Sequence, residues 1–111
     1  MTSTPLVPAP VAAFVQAIND ADTEAFVALF EENGFVNDWG TVYEGHDGIR
    51  RWSGTDAIGA DARMRLLNAH TEQNTTTVRF DWRSGKFNGE STGVFVINGS
   101  RLASFTILPE R

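Results

Sequence analysis

The stretch VNDWG, residues 36–40, sets a carboxylate, Asp38, directly against an indole, Trp39. A carboxylate among rings loses water, and a poorly solvated carboxylate is a better proton acceptor near neutral pH. Asp38 is therefore a candidate general base. The same five residues also read as a turn, in which Asn37 and Asp38 bond their own backbone and Gly40 supplies a positive φ. Little else in the chain has reactive potential. Without cysteine there is no disulfide, thiol nucleophile or thiolate metal site. His46 and His70 lie far apart in sequence and do not make a metal site, so neither metal nor cofactor is expected. Tyr43 is the only phenol. Asn68 and His70 share one strand parity and are candidates to face a ligand beside Asp38. The plainer readings are a hydrogen-bonded structural His70 and a His46 exposed in a loop.

Composition narrows the function classes. The chain has 111 residues, 41% apolar and 21% charged, which is one domain with a real core. Nine basic residues are scattered under a net charge of -5, with Arg50-Arg51 and Arg63/Arg65 as the local clusters. That balance argues against nucleic acid or an anionic membrane as partner. No apolar run approaches the ~18 residues of a membrane span. MTSTPLVPAP lacks the basic start and apolar run of a signal peptide, so a cytoplasmic location is expected.

The elements that must position Asp38 follow from periodicity. Residues 1–9 read as a proline-rich arm, and residues 10–111 as a single domain. Pro10 suits a first helical turn, after which Val11, Phe14, Val15 and Ile18 form one apolar stripe. Asp22 caps a second helix bearing Phe26, Leu29 and Phe30, and Asn33-Gly34 reads as its left-handed stop. Short strands at Phe35–Asn37 and Thr41–Glu44 flank the DWG segment. EGHDGIRRW enters a third helix with Asp47 in its first turn and Ile49 and Trp52 on its buried side.

From residue 62 the period becomes two. Arg63–Glu72 is long enough for a strand, EQN is the turn, and Val78, Phe80 and Trp82 alternate with charged residues. SGKFNGE holds two turns, Ser84-Gly85 and Asn88-Gly89, and both stay open. Asn98-Gly99 joins Thr92–Ile97 to Arg101–Leu108 as a hairpin. Three helices followed by antiparallel strands make an α+β fold, with helices packed on one face of a strongly curved sheet around a hollow.

FVQAINDADTEAFVALFEENGFVNDWGTVYEGHDGIRRW, continued through GVFVINGSRLASFTI, resembles the nuclear transport factor 2-like superfamily. That group includes ketosteroid isomerases, SnoaL-like polyketide cyclases, scytalone dehydratase and limonene epoxide hydrolase. The wording NDWG…IRRWS is closest to small bacterial members. The resemblance implies a cystatin-like cone and a homodimer through the outer sheet face at Thr77, Arg79 and Asp81. It places the isomerase's catalytic Asp on Asp38, its oxyanion-hole tyrosine on Phe14 and its protonated Asp on Gly93. Neither Phe14 nor Gly93 can donate, and losing one such donor costs ~10²–10³ in rate. The usual steroid isomerase mechanism is therefore excluded. On the family's geometry Phe14, Trp39, Phe80, Trp82 and Phe95 face the hollow, with Trp52 beside them. Trp82 N–H, Asn68 and His70 are the candidate substitute donors.

Three functions fit this reading. The first is a SnoaL-like pocket enzyme, an isomerase, cyclase or dehydratase using Asp38 on an uncharged, apolar, ring-sized substrate. The second is a binding module for an apolar ligand without chemistry. The third is a dimeric interaction domain whose hollow is filled by side chains.

Overall fold

Two prolines set where the first helix begins. Pro8 supplies the extended residue ahead of it and Pro10 sits in its first turn, so α1 runs Ala9–Asn19. The computed structural model describes residues 5–109. Within that range Pro5 to Pro8 have no regular structure, Ala9 of the expected arm already belongs to α1, and residues 1–4 lie outside the described residues. Asp22 caps α2, Thr23–Ala28, by accepting from the Ala25 amide at 3.1 Å.

The second helix ends earlier than its apolar stripe predicts. β1 begins at Phe30 and runs to Asp38, taking Phe30 and Asn33-Gly34 into the sheet. Phe30 is buried in either geometry, so its spacing could not separate the two. The register decides: β1 lies parallel to β6, Arg101–Ile107, with Phe30 opposite Leu102 and an irregularity before Phe35. Gly34 serves this close approach and not a left-handed stop. A Cβ there would lie 3.1–3.3 Å from the carbonyl oxygens of Glu31, Ala103 and Leu102.

β2, Thr41–Glu44, pairs antiparallel with β1 through the two-residue turn Trp39-Gly40. α3, Gly45–Asp56, follows at once, and a 3₁₀ turn covers Ile58–Ala60. β3, Arg63–Glu72, β4, Thr75–Arg83, and β5, Asn88–Asn98, then form an antiparallel meander with β6. The order across the six-stranded sheet is β2-β1-β6-β5-β4-β3. The open choice in SGKFNGE falls to Ser84–Phe87. The Ser84 hydroxyl accepts from the Lys86 and Phe87 amides at 3.1 and 3.0 Å, and Asn88-Gly89 already belongs to β5.

Polar clamps fix the helices to the sheet. The Asn19 side chain donates to Met64 O at 2.9 Å and accepts from Met64 N at 2.8 Å, tying α1 to β3. His46 Nε2 lies 2.8 Å from Phe30 O, so it anchors the start of α3 instead of sitting exposed in a loop. Arg50 of α3 pairs with Glu24 of α2, and its hydrogen bond, then its charge, hold the Glu24 carboxyl below its ordinary value. A depressed folded-state value stabilises the fold above the ordinary carboxylate range. That stabilisation fades as pH falls through the folded value, and at this exposed site it is small. No helix among the described residues is long and apolar enough to cross a membrane.

Inside the sheet, Phe14 stands 4.7 Å from Phe105, 4.9 Å from Phe95 and 5.0 Å from Phe26, centroid to centroid. These rings are fully buried and fill one end of the cone. Replacing Gly34 with Ala is expected to lower stability by about 1–3 kcal/mol, because backbone carbonyls cannot move aside as side chains do. A urea midpoint unchanged from wild type would contradict that role for Gly34.

Candidate functional site

The turn at residues 37–40 divides its labour between two neighbours. Asn37 Oδ1 accepts the Gly40 amide at 2.8 Å, which is the turn-forming bond. Asp38 is thereby released from local bonding. Its Oδ2 instead accepts the indole N–H of Trp52 at 3.0 Å, and its Oδ1 has no partner among the described residues. Trp52 lies 1% exposed on the inner side of α3, stacked 6.0 Å from Phe26 and tilted 6.1 Å from Trp82. Asp38 itself is half-buried at the end of β1.

Asp38 borders a cavity of about 340 Å³ whose lining includes Trp39, Trp52, Phe80, Trp82, Ser91 and Ile107. Asp56, Lys86 and Phe87 complete it, with Lys86 Nζ 3.7 Å from Asp56 Oδ1. Two of its rings remain about half in water, Trp39 at 49% and Phe87 at 46% exposure. The space follows from β5. Gly89 and Ser91 stand opposite Trp82 and Phe80 in the register, so two large side chains of β4 face two small ones.

Five of the residues singled out in sequence, Asp38, Trp39, Trp52, Phe80 and Trp82, come together here. Four do not. Phe14 and Phe95 are fully buried in the phenylalanine cluster and line none of the cavity. Asn68 and His70 point outward because β3 changes register between Leu66 and Asn68. One extra residue there reverses the parity. Met64 and Leu66 face inward before it, and beyond it Ala69 turns in, leaving Asn68 and His70 exposed. His70 lies 3.5 Å from Glu72 on the surface. Tyr43 is half-buried beneath Arg51, whose guanidinium carbon is 5.8 Å from the ring centre.

The isomerase donor positions are closed for a packing reason. Phe14 is embedded, and a Cβ at Gly93 would sit 2.7 Å from the Phe105 ring and 3.1 Å from Phe80. Sequence reading missed Asp56, Lys86, Phe87, Ser91 and Ile107. Ser91 had a signal, since it shares strand parity with Gly93 and Phe95. Lys86 and Phe87 carried none beyond their turn.

A family model for the SnoaL-like domain matches residues 11–105, and the chain belongs to that family. No curated protein matches the sequence. Solved structures share the fold. A candidate polyketide cyclase from Sinorhizobium meliloti is 24% identical, with a TM-score of 0.83 over 91% of this chain and 94% of its own. A protein of ketosteroid isomerase-like fold from Catenulispora acidiphila, solved with trimethylamine, is 16% identical. Its TM-score is 0.81 over 95% of this chain and 88% of its own. SalBIII, an epoxide hydrolase/cyclase-like enzyme of pyran ring formation in the polyether salinomycin, is 18% identical. It matches with a TM-score of 0.79 over 89% of this chain and 86% of its own. At these identities the likeness is one of fold.

Trp39 holds φ +55 and Gly40 φ +99. A left-handed backbone costs a non-glycine residue roughly 1–2 kcal/mol, and Asn-Gly is the favoured pair for such a hairpin turn. Trp39→Asn is expected to stabilise the fold by about 1 kcal/mol, read as a higher urea midpoint. The same variant should bind apolar ligands more weakly, since a ring leaves the mouth of the cavity. A destabilised variant would show that the indole packs there for stability.

Proposed function

We propose that the chain is a small-molecule pocket protein of the SnoaL-like kind in which Asp38 accepts a proton from an apolar, ring-sized substrate. The carrying observation is the divided carboxylate. One oxygen is held by the buried Trp52 N–H and the other has no bonding partner among the described residues, in a side chain that lines an aromatic cavity. The Trp52 bond fixes the direction of the carboxylate, and a positioned base contributes typically ~10²–10⁴ to rate. A cavity of about 340 Å³ lies at the small end of the range for ligand sites.

The reaction class is proton abstraction beside a carbonyl. The C–H proton passes to Asp38, the electron pair enters the enolate, and the proton returns at the same or another carbon. Isomerisation, cyclisation and dehydration all use that step. The polyketide cyclase description of the Sinorhizobium meliloti protein supports a ring-forming reaction. Of the substitute donors expected from sequence, Trp82 remains at the site, while Asn68 and His70 do not. The second reading is a binding module for an apolar ligand, favoured by the predominance of rings in the lining. A homodimer through the outer face of β4 belongs to the same family-based reading, and sedimentation tests it.

The probe is 2-tetralone, whose benzylic C–H beside the carbonyl exchanges in D₂O and is followed by proton NMR. Wild-type protein should accelerate exchange, and Asp38→Asn should cut the acceleration by ~10²–10⁴ while keeping the ligand bound. Equal exchange by the variant would remove Asp38 from the base role. Binding without exchange in either protein would leave the module.

A further inference from the structure

Two polar groups on the β4–β5 wall of the cavity have no bonding partner. Ser91 is 2% exposed and Trp82 5% exposed, and both line the space beside Asp38. Among the described residues neither the Ser91 hydroxyl nor the Trp82 indole N–H makes a hydrogen bond, and both keep some access to the cavity, unlike the sealed Ser53 hydroxyl. Ser91 stands directly opposite Phe80 in the register, so the two side chains project from the same inner face.

An unpaired hydroxyl on a mostly apolar wall is a ready partner for a hydrogen-bonding ligand, and becomes costly to leave unmatched once a ligand expels the water. Ordinary packing offers no account of it. An alanine would fill the same strand position, and the neighbouring inward residues of β5, Gly89 and Gly93, carry no polar side chain. The rest of the lining cannot replace it as a donor deep in the cavity. The Trp52 N–H is engaged by Asp38, and Lys86, 61% exposed at the mouth, faces Asp56.

We propose that Ser91 is the specificity residue of the cavity. Its hydroxyl donates to a hydrogen-bond-accepting oxygen on an otherwise apolar ligand, with the Trp82 N–H as a second donor on the same wall. The ligand class is then a ring compound bearing a carbonyl or ether oxygen, and hydrocarbons of the same shape are discriminated against. Ser91 lies at neither of the positions that Phe14 and Gly93 occupy, so the anchor sits nearer the mouth than the isomerase pattern implies. The proposal rests on the cavity being a ligand site.

The test compares 2-tetralone with tetralin, its counterpart without the oxygen, in NMR titrations of the full chain. Wild type should bind 2-tetralone about tenfold more tightly, the value of one net hydrogen bond. Ser91→Ala should bring the two affinities together by weakening 2-tetralone and leaving tetralin unchanged or tighter. Equal affinities in wild type would overturn the role of Ser91, with no variant needed. So would a preference undiminished in Ser91→Ala. Failure of both compounds to bind wild type would overturn the ligand-site reading itself, and the Ser91 proposal with it.

Discussion

The bond from Trp52 N–H to Asp38 Oδ2 ties α3 to the last residue of β1, as the His46 contact ties it to the first. Trp52 is on α3 and Asp38 closes β1, so the bond sets the helix against the β1–β2 hairpin and fixes one wall of the cavity. Both partners need it. A half-buried carboxylate loses part of its water, and an indole N–H buried without an acceptor is penalised. The bond also orients Asp38, which lines the cavity and whose second oxygen has no bonding partner among the described residues. Structural demand and chemical opportunity meet in one interaction.

That arrangement works because the cone is packed unevenly. Phenylalanines 14, 26, 30, 95 and 105 occupy one end, and their rings leave no room for the donors that an isomerase would keep there. The other end stays open because Gly89 and Ser91 face Trp82 and Phe80 across the β4–β5 register. Whether a position becomes core or pocket thus depends on the size of its cross-strand partner, not on its own hydrophobicity. Phe80 and Phe95 are equally apolar; one borders the cavity and the other lies in the packed end.

The backbone at Trp39 shows the opposite choice. A left-handed residue at this turn would be easiest as Asn or Gly, and the chain places a large ring there and leaves it half in water. Strain combined with exposed apolar surface beside a cavity is the pattern expected where a side chain meets a ligand.

Local physical signals in the sequence determined much of the protein by themselves. The Asp22 cap, the proline at the start of α1, the extent of β3 and the inward row Val78, Phe80, Trp82 all depend on nearest neighbours along the chain, and the structure has each of them. Asp38, Trp39, Trp52, Phe80 and Trp82 were legible as a group for the same reason, helped by the family resemblance. What remained belonged to long-range geometry. Phe26, Leu29 and Phe30 satisfy a helical stripe, yet pairing with β6 draws Phe30 into a strand. A register shift after Leu66 turned Asn68 and His70 outward, and parity counting has no means of detecting an inserted residue. The fate of Asp38 was likewise undecided until Asn37 took the turn bond and α3 delivered Trp52 from 14 residues away. Sequence periodicity determines which face a side chain prefers. Only the assembled sheet decides what stands opposite it, and that partner separates a packed ring from the wall of a cavity.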